Sequence, residues 1–393
     1  MSHYVGPETD PQIDGYPDYS VVQAGDEHLL FESYEQEQQA AYAALPLYPV
    51  EVVRRKTHKD LGETDYARFC QETIRFSDGA VRLATRAEPK ERYFGQSIVP
   101  YPISDGDPLF TGPNGLNEEI IDRTTELGFH VVWLHHQGRH APWPTSPERL
   151  KTAARFLSSK SVGKSACHDH ALFDDLERTG VPFSTDEIIR FGFSRSAMSG
   201  EAFVALSPRF GRKVVHSDLM AKCFAHFPSP TDLVQTALHQ GPQEVIGFGK
   251  LLGNLAWRNM HGEDGLVRRY AGTFDLHPMN VAHELAWIPP LLSGDDGKYS
   301  HAIPLDTAGV RIFLTKDDMS HYAEHELIHA KHPNLMIVSI EGAHVEGAHQ
   351  IVVDSRIERS RRVAAFAREH DWDISGLRFD DYWPEKATTA RAA

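Results

Sequence analysis

The segment that most restricts the fold runs IIRFGFSRSAMSGEAFVAL, residues 188–206. An apolar strand-forming run passes straight into Gly192-Phe193-Ser194-Arg195-Ser196, and a helix-forming stretch begins at once. No loop fits between them. A serine at such a junction sits on a tight turn that admits only small residues two positions to either side, here Gly192 and Ser196. Its Oγ then stands above the sheet, and the next N–H and the helix N-terminus face any oxyanion that forms beside it. The same residues would also suit a plain strand-to-helix turn with Ser194 as N-cap. The remainder of the chain separates the two.

Strand and helix patterns alternate along most of it. An extended arm over 1–25 is followed by a helix over 26–44 and a β-hairpin over 73–87 turning at Ser77-Asp78-Gly79. Strands are expected at 97–104, 130–136, 187–193, 212–219, 309–315 and 334–340. Helices are expected from Asn117 to Leu127, at 148–157, 171–178 and 356–370, and in the segment HYAEHELIHAKH. The stretch 221–305 breaks the alternation with helical segments and no strand. The fold class is therefore α/β: a mostly parallel, doubly wound sheet covered on both faces, with a helical insertion.

This succession resembles the α/β-hydrolase superfamily over roughly residues 70–370. The resemblance divides the chain into an N-terminal arm and extension (1–70), a core in two parts (71–220 and 306–380), a helical cap (221–305) and a disordered tail (381–393). It implies a serine hydrolase with Ser194 as nucleophile. The acid follows the next-to-last strand, where Asp318 is the first choice and Asp317 a close second; Asp218, after RKVVHS, is a third candidate. The base follows the last strand, where Glu341-Gly342-Ala343-His344 is similar to the family's Gly-x-His turn and His349 is the rival. The backbone N–H of Arg195 is one oxyanion donor; the N–H of Asp107 or the phenol of Tyr101 is the other. A serine, an acid and a histidine, each just past a strand end and in that chain order, favour catalysis over a simple cap.

The implied reaction is hydrolysis of an ester, thioester or lactone through an acyl-enzyme. Acyl transfer or carbon–carbon bond hydrolysis uses the same parts. A non-catalytic ligand-binding member of the fold is an alternative of another class. So is a zinc hydrolase, because His325-Glu326-Leu327-Ile328-His329 is a literal His-Glu-x-x-His. The metzincin extension of that motif fails, since Leu335 occupies its third-histidine position, and the motif falls on the ordinary helix between the acid and histidine strands. With 23 histidines in the chain, accidental spacings are expected, and no metal is assigned.

No Gly-x-Gly-x-x-Gly opens a helix after a first strand and no Walker sequence occurs, so no cofactor is expected. A net charge of −15 argues against a nucleic-acid binder. Three scattered cysteines, no leader pattern and no long apolar run fit a cytoplasmic protein without a membrane span. The expected partner is a small-molecule substrate. Residues 1–70 are left to pack on a sheet edge or against a second subunit, which makes a homo-oligomer an open alternative.

Overall fold

The structure, a computed structural model, describes residues 20–21, 27–65, 67–90, 97–100, 130–134, 146–148, 150–151, 154, 160–181, 188–193, 195–220, 238, 242, 286, 297–314, 332 and 334–340. Among the described residues ten strands make one sheet: β1 (Ser20–Val21), β2 (Val52–Glu63), β3 (Ala67–Phe76), β4 (Val81–Pro89), β5 (Ser97–Pro100), β6 (His130–Leu134), β7 (Ile188–Phe193), β8 (Val214–Met220), β9 (Gly309–Leu314) and β10 (Leu335–Ile340). Their order is β1-β10-β9-β8-β7-β5-β6-β4-β3-β2. From β6 through β5, β7, β8 and β9 to β10 every pairing is parallel. The pairings β4–β6, β3–β4, β2–β3 and β1–β10 are antiparallel. The sheet is thus mixed, with a parallel half and an antiparallel half, where the sequence pattern led us to expect a mostly parallel, doubly wound one.

The antiparallel half follows from local turn chemistry. Gly79 takes a positive φ of 89°, and Asp78 Oδ1 accepts the Ala80 N–H at 2.9 Å. The turn reverses the chain so that Ile74, Phe76 and Ala84 face the core. β2 was not expected from the sequence. Its run VVRRKTHKDLGE lacks an apolar alternation, and its pairing with β3 shifts register at three places. Both features suit an edge strand, where charge and bulges discourage further pairing.

The N-terminal extension reaches both ends of the sheet. β1 pairs on the outside of β10, and β2 pairs on the outside of β3. Nine strand spacings of about 4.8 Å separate these edges by roughly 43 Å. Helix α1 (Glu27–Ala44), whose 18 residues span about 27 Å, lies between the two in sequence. Arg209 fixes its C-terminal end, donating to Tyr42 O at 2.6 Å and Leu45 O at 3.1 Å, as suits a cation at carbonyls that lack helical partners.

Helices α2 (Val162–Arg178) and α3 (Arg195–Leu206) pack on each other, and the short α4 (Gly297–Ser300) packs on α3. Tyr299, Ala302 and Ile303 enter the same core cluster as Ala166, Leu172, Met198 and Phe203. α2 starts about two and a half turns before the expected 171–178. Ser161 is its N-cap and accepts the Lys164 N–H. The missed turns contain His168, Asp169 and His170, all buried. His168 Nε2 lies 3.0 Å from Asp78 Oδ2, and His170 stacks between Phe203 and Phe210 at centroid distances of 4.2 and 4.3 Å. Arg82 on β4 donates to Asp169 Oδ1 at 2.9 Å, to Ser165 O at 3.2 Å and to Leu134 O at 3.4 Å. One guanidinium thereby joins β4, β6 and α2. Burial pushes the Asp169 carboxyl up to about 6, against the opposing pull of Arg82 and Arg190.

Two stability predictions follow from these groups. Asp169→Ala leaves buried guanidinium without its carboxylate and is expected to cost about 3–5 kcal/mol in urea unfolding. Asp306→Ala, at an exposed pair with Lys213, is expected to cost about 1 kcal/mol or less. Equal losses would contradict the assignment. Burial also lowers the His168 imidazole to about 4, outweighing its hydrogen bond to Asp78. The unfolded chain therefore binds a proton near pH 6.5 that the folded chain refuses until about pH 4. The urea midpoint should fall as pH drops through that window, and His168→Asn should flatten the fall.

Candidate functional site

All six strands of the parallel half point their C-terminal ends at one rim of the sheet. The registers show how level that rim is. Phe193 at the end of β7 pairs with Met220 at the end of β8, and Met220 pairs with Ile312 on β9. β9 and β10 then run on together, with Leu314 paired to Ile340. They overshoot β7 by two residues, or about 7 Å.

At this rim β7 ends at Phe193 and α3 begins at Arg195. One position separates the strand from the helix, and the sequence fills it with Ser194. Ser194 itself lies outside the described residues. Arg195 opens α3, so its backbone N–H is one of the helix's first-turn donors, which have no acceptor within the helix.

The packing beneath this junction explains how the helix comes so close. Gly200 faces the sheet. A Cβ there would stand 2.7 Å from Leu219 Cδ2 and 3.3 Å from Arg190 Nη2. Without a side chain at this position α3 seats on β7 and β8 with no displacement of Leu219 or Arg190. Ala197, Met198, Ser199, Gly200 and Glu201 are all buried along the same helix. Gly309 serves a similar purpose at the start of β9, where a Cβ would meet Ser217 O at 1.9 Å.

Charge buried under the rim ties these pieces together. Glu201 on α3 accepts a hydrogen bond from Ser300 Oγ at the end of α4. Arg311 on β9 donates to Ser217 O on β8 at 2.5 Å, and its Nε lies 3.7 Å from Glu201 Oε1. Arg190, fully buried on β7, has its guanidinium 5.8 Å from the Phe203 ring centroid on α3. Burial drives its pKa well below the usual arginine value, against the charge of Asp169. Sequence reasoning did not identify Arg190, Glu201 or Arg311 as supports. The available signal was an arginine in the middle of each apolar run, IIRFGF and GVRIFL.

The other residues named from sequence lie outside the described residues: Asp317, Asp318, His344, His349, Asp107 and Tyr101, and likewise His325, Glu326 and His329. Their strands are described. Asp317 and Asp318 follow the end of β9 by three and four residues, and His344 follows the end of β10 by four. Tyr101 directly follows β5. Asp218 falls inside β8, paired with Phe191, and not past the strand end. Among the described residues no group of His, Cys, Asp and Glu is disposed to hold a metal ion, and no helix is long and apolar enough to cross a membrane.

The sheet order and strand directions, with one residue between a central parallel strand and its helix, define an α/β architecture with six parallel strands in succession. No protein-family model matches the sequence, and no curated protein matches it. Among solved structures the chain is similar to the enol-lactonase from Burkholderia xenovorans LB400, at 12% identity over 71% of this chain and 97% of that one, with a TM-score of 0.45. It is similar to a carboxylesterase of the thaumarchaeon Nitrososphaera gargenis, at 13% identity over 74% and 97%, with a TM-score of 0.44. It is also similar to the thioesterase domain of the curacin biosynthetic pathway, at 12% identity over 79% and 99%, with a TM-score of 0.42.

The seating of α3 predicts a cost for bulk at position 200. Gly200→Val should overpack the contact with Leu219 and Arg190 and lower stability by about 1–3 kcal/mol in thermal or urea unfolding. A neutral Gly200→Val would contradict the close approach.

Proposed function

We propose that this chain is a serine hydrolase that cleaves an ester, thioester or lactone bond of a small molecule, with Ser194 as its nucleophile. One observation carries the proposal: the one-residue junction between β7 and α3 at the rim of the parallel strands. A serine at that position has a helix N-terminus beside it and the buried floor of Gly192 behind it.

The strand ends bring the other groups within reach. β9 stands two spacings from β7 and β10 stands three, about 10 and 14 Å. Four residues beyond a strand end extend to at most about 14 Å. Asp318 and His344 each have four. Four residues of chain together with the length of the side chain itself therefore allow a carboxylate and an imidazole to converge above β7. Asp317 has nearly the same reach as Asp318, and His349 has more than His344.

In the proposed reaction Ser194 Oγ attacks the acyl carbon while His344 takes the hydroxyl proton. The tetrahedral oxyanion is held by the N–H of Arg195 and a second donor, Asp107 N–H or the Tyr101 phenol. Collapse expels the alcohol or thiol, which leaves with the proton from His344. His344 then deprotonates a water, which attacks the acyl-enzyme and releases the acid and free Ser194. Asp318 orients His344 and stabilises its charged form. No step calls on a metal or organic cofactor. Of the helical stretch 221–305, the part before α4 is proposed as a cap over the rim, since Tyr299, Ala302 and Ile303 enter the core, and the cytoplasm is proposed as the working compartment.

Turnover of p-nitrophenyl acetate and labelling by a fluorophosphonate test the assignment together. Ser194→Ala is expected to lose both, with kcat down by at least about 10³-fold. One of His344→Ala and His349→Ala should fall comparably, and the other by less than about tenfold. A loss below about tenfold in Ser194→Ala, or retained labelling, would refute the nucleophile. Chelator-sensitive turnover that survives Ser194→Ala would instead favour the His325–Glu326–His329 motif.

A further inference from the structure

We propose that the outer face of β2, β3 and β4 carries an oxyanion-binding site built on Arg54, Lys56 and Arg75, and that it takes a phosphate-type dianion. It draws on none of the rim residues. Arg54 and Lys56 are two residues apart on β2 and so leave the same face. In the ladder Arg54 pairs with Arg75 and Lys56 pairs with Thr73, while Arg75 pairs onward with Val81. These residues and Thr57 line a cavity of about 380 Å³. All but Thr73 are exposed.

The charges in this cavity are unusual for the sheet they sit on. Two arginines placed directly opposite each other repel, at a cost that sheets ordinarily avoid. Other arginines of these strands have carboxylates: Arg55 has Glu72 and Asp175, Arg82 has Asp169, and Arg86 has Glu72. Among the described residues no carboxylate lies within 4.0 Å of Arg54, Lys56 or Arg75. This concentration of positive charge belongs to a chain whose net charge is −15.

Protection of an exposed edge accounts for cations on β2. It does not account for Arg75, because β3 is the second strand in and is paired on both sides. A bound anion accounts for all three. The two guanidinium groups offer forked donors that match phosphate oxygens, and Lys56 adds a point charge. Thr57 and Thr73 add hydroxyl donors, and Val81, 42% exposed, offers an apolar wall. Three cations without an acid favour a dianion over a single carboxylate.

Calorimetric titration of the full chain at low salt, with inorganic phosphate and with glycerol 3-phosphate as separate probes, tests this. Saturable binding is expected, weakening as salt rises. Arg54→Ala/Arg75→Ala should weaken it at least about tenfold, and Arg54→Lys/Arg75→Lys should recover part of it. Thermal melts establish that both variants are folded. Equal affinity for the two probes assigns the site to free phosphate; tighter binding of the ester assigns it to a phosphorylated small molecule. No saturable heat with either probe up to about 10 mM would overturn the proposal. So would a double alanine variant that binds as the parent does while self-associating, which would leave edge protection as the whole role of these cations.

Discussion

Everything at the rim depends on how closely α3 is pressed against the sheet. A helix that starts one residue after a strand ends cannot drift from that strand, and Gly200 lets it approach until Leu219 and Arg190 fill the space where a side chain would stand. The contact is apolar on one side and charged on the other. Buried charge is costly unless it is paired, so Arg190, Glu201 and Arg311 fix the geometry of their surroundings as strongly as they stabilise it. Arg311 links β8 to β9, Glu201 links α3 to the segment at α4, and Arg82 links β4 and β6 to α2. The floor beneath the proposed nucleophile is a net of hydrogen bonds set in an apolar core.

The N-terminal extension extends this rigidity to the sheet edges. β1 covers β10, the strand that leads to His344, and β2 covers β3 at the opposite edge. Arg55 on β2 reaches inward to Glu72 and to Asp175 near the end of α2. The same strand turns Arg54 and Lys56 outward. Alternation along one strand thus serves two tasks: cohesion on the inner face and charge display on the outer.

Much of this was legible in the chain, for reasons that can be located. β7 to β10 are short apolar runs bounded by turn residues, and that signal survives without alignment. α1 and α3 were expected nearly to the residue, because their composition leaves little alternative. β2 escaped notice because an exposed edge strand needs no apolar alternation. The start of α2 escaped notice because His168, Asp169 and His170 look like a surface segment, yet each is buried against a specific partner. The turn at Ser77-Asp78-Gly79 marked β3 and β4 as antiparallel, whereas the antiparallel pairings of β1 with β10, β2 with β3 and β4 with β6 were hidden because period and composition do not reveal strand direction. The serine junction was legible because small residues around a serine between strand and helix form a local pattern; its charged supports come from distant segments and carry no such pattern.

The central claim is spatial: an imidazole stands beside the hydroxyl at the β7–α3 junction. A crystal structure of the chain after reaction with a small alkyl phosphonate measures this directly. The account predicts phosphorus bonded to Ser194 Oγ, the ring of His344 or His349 within about 3–3.5 Å of that oxygen or of the phosphonyl group, and the Arg195 N–H on the phosphonyl oxygen. A phosphonate on any other residue, or a modified Ser194 with no imidazole near it, would contradict it.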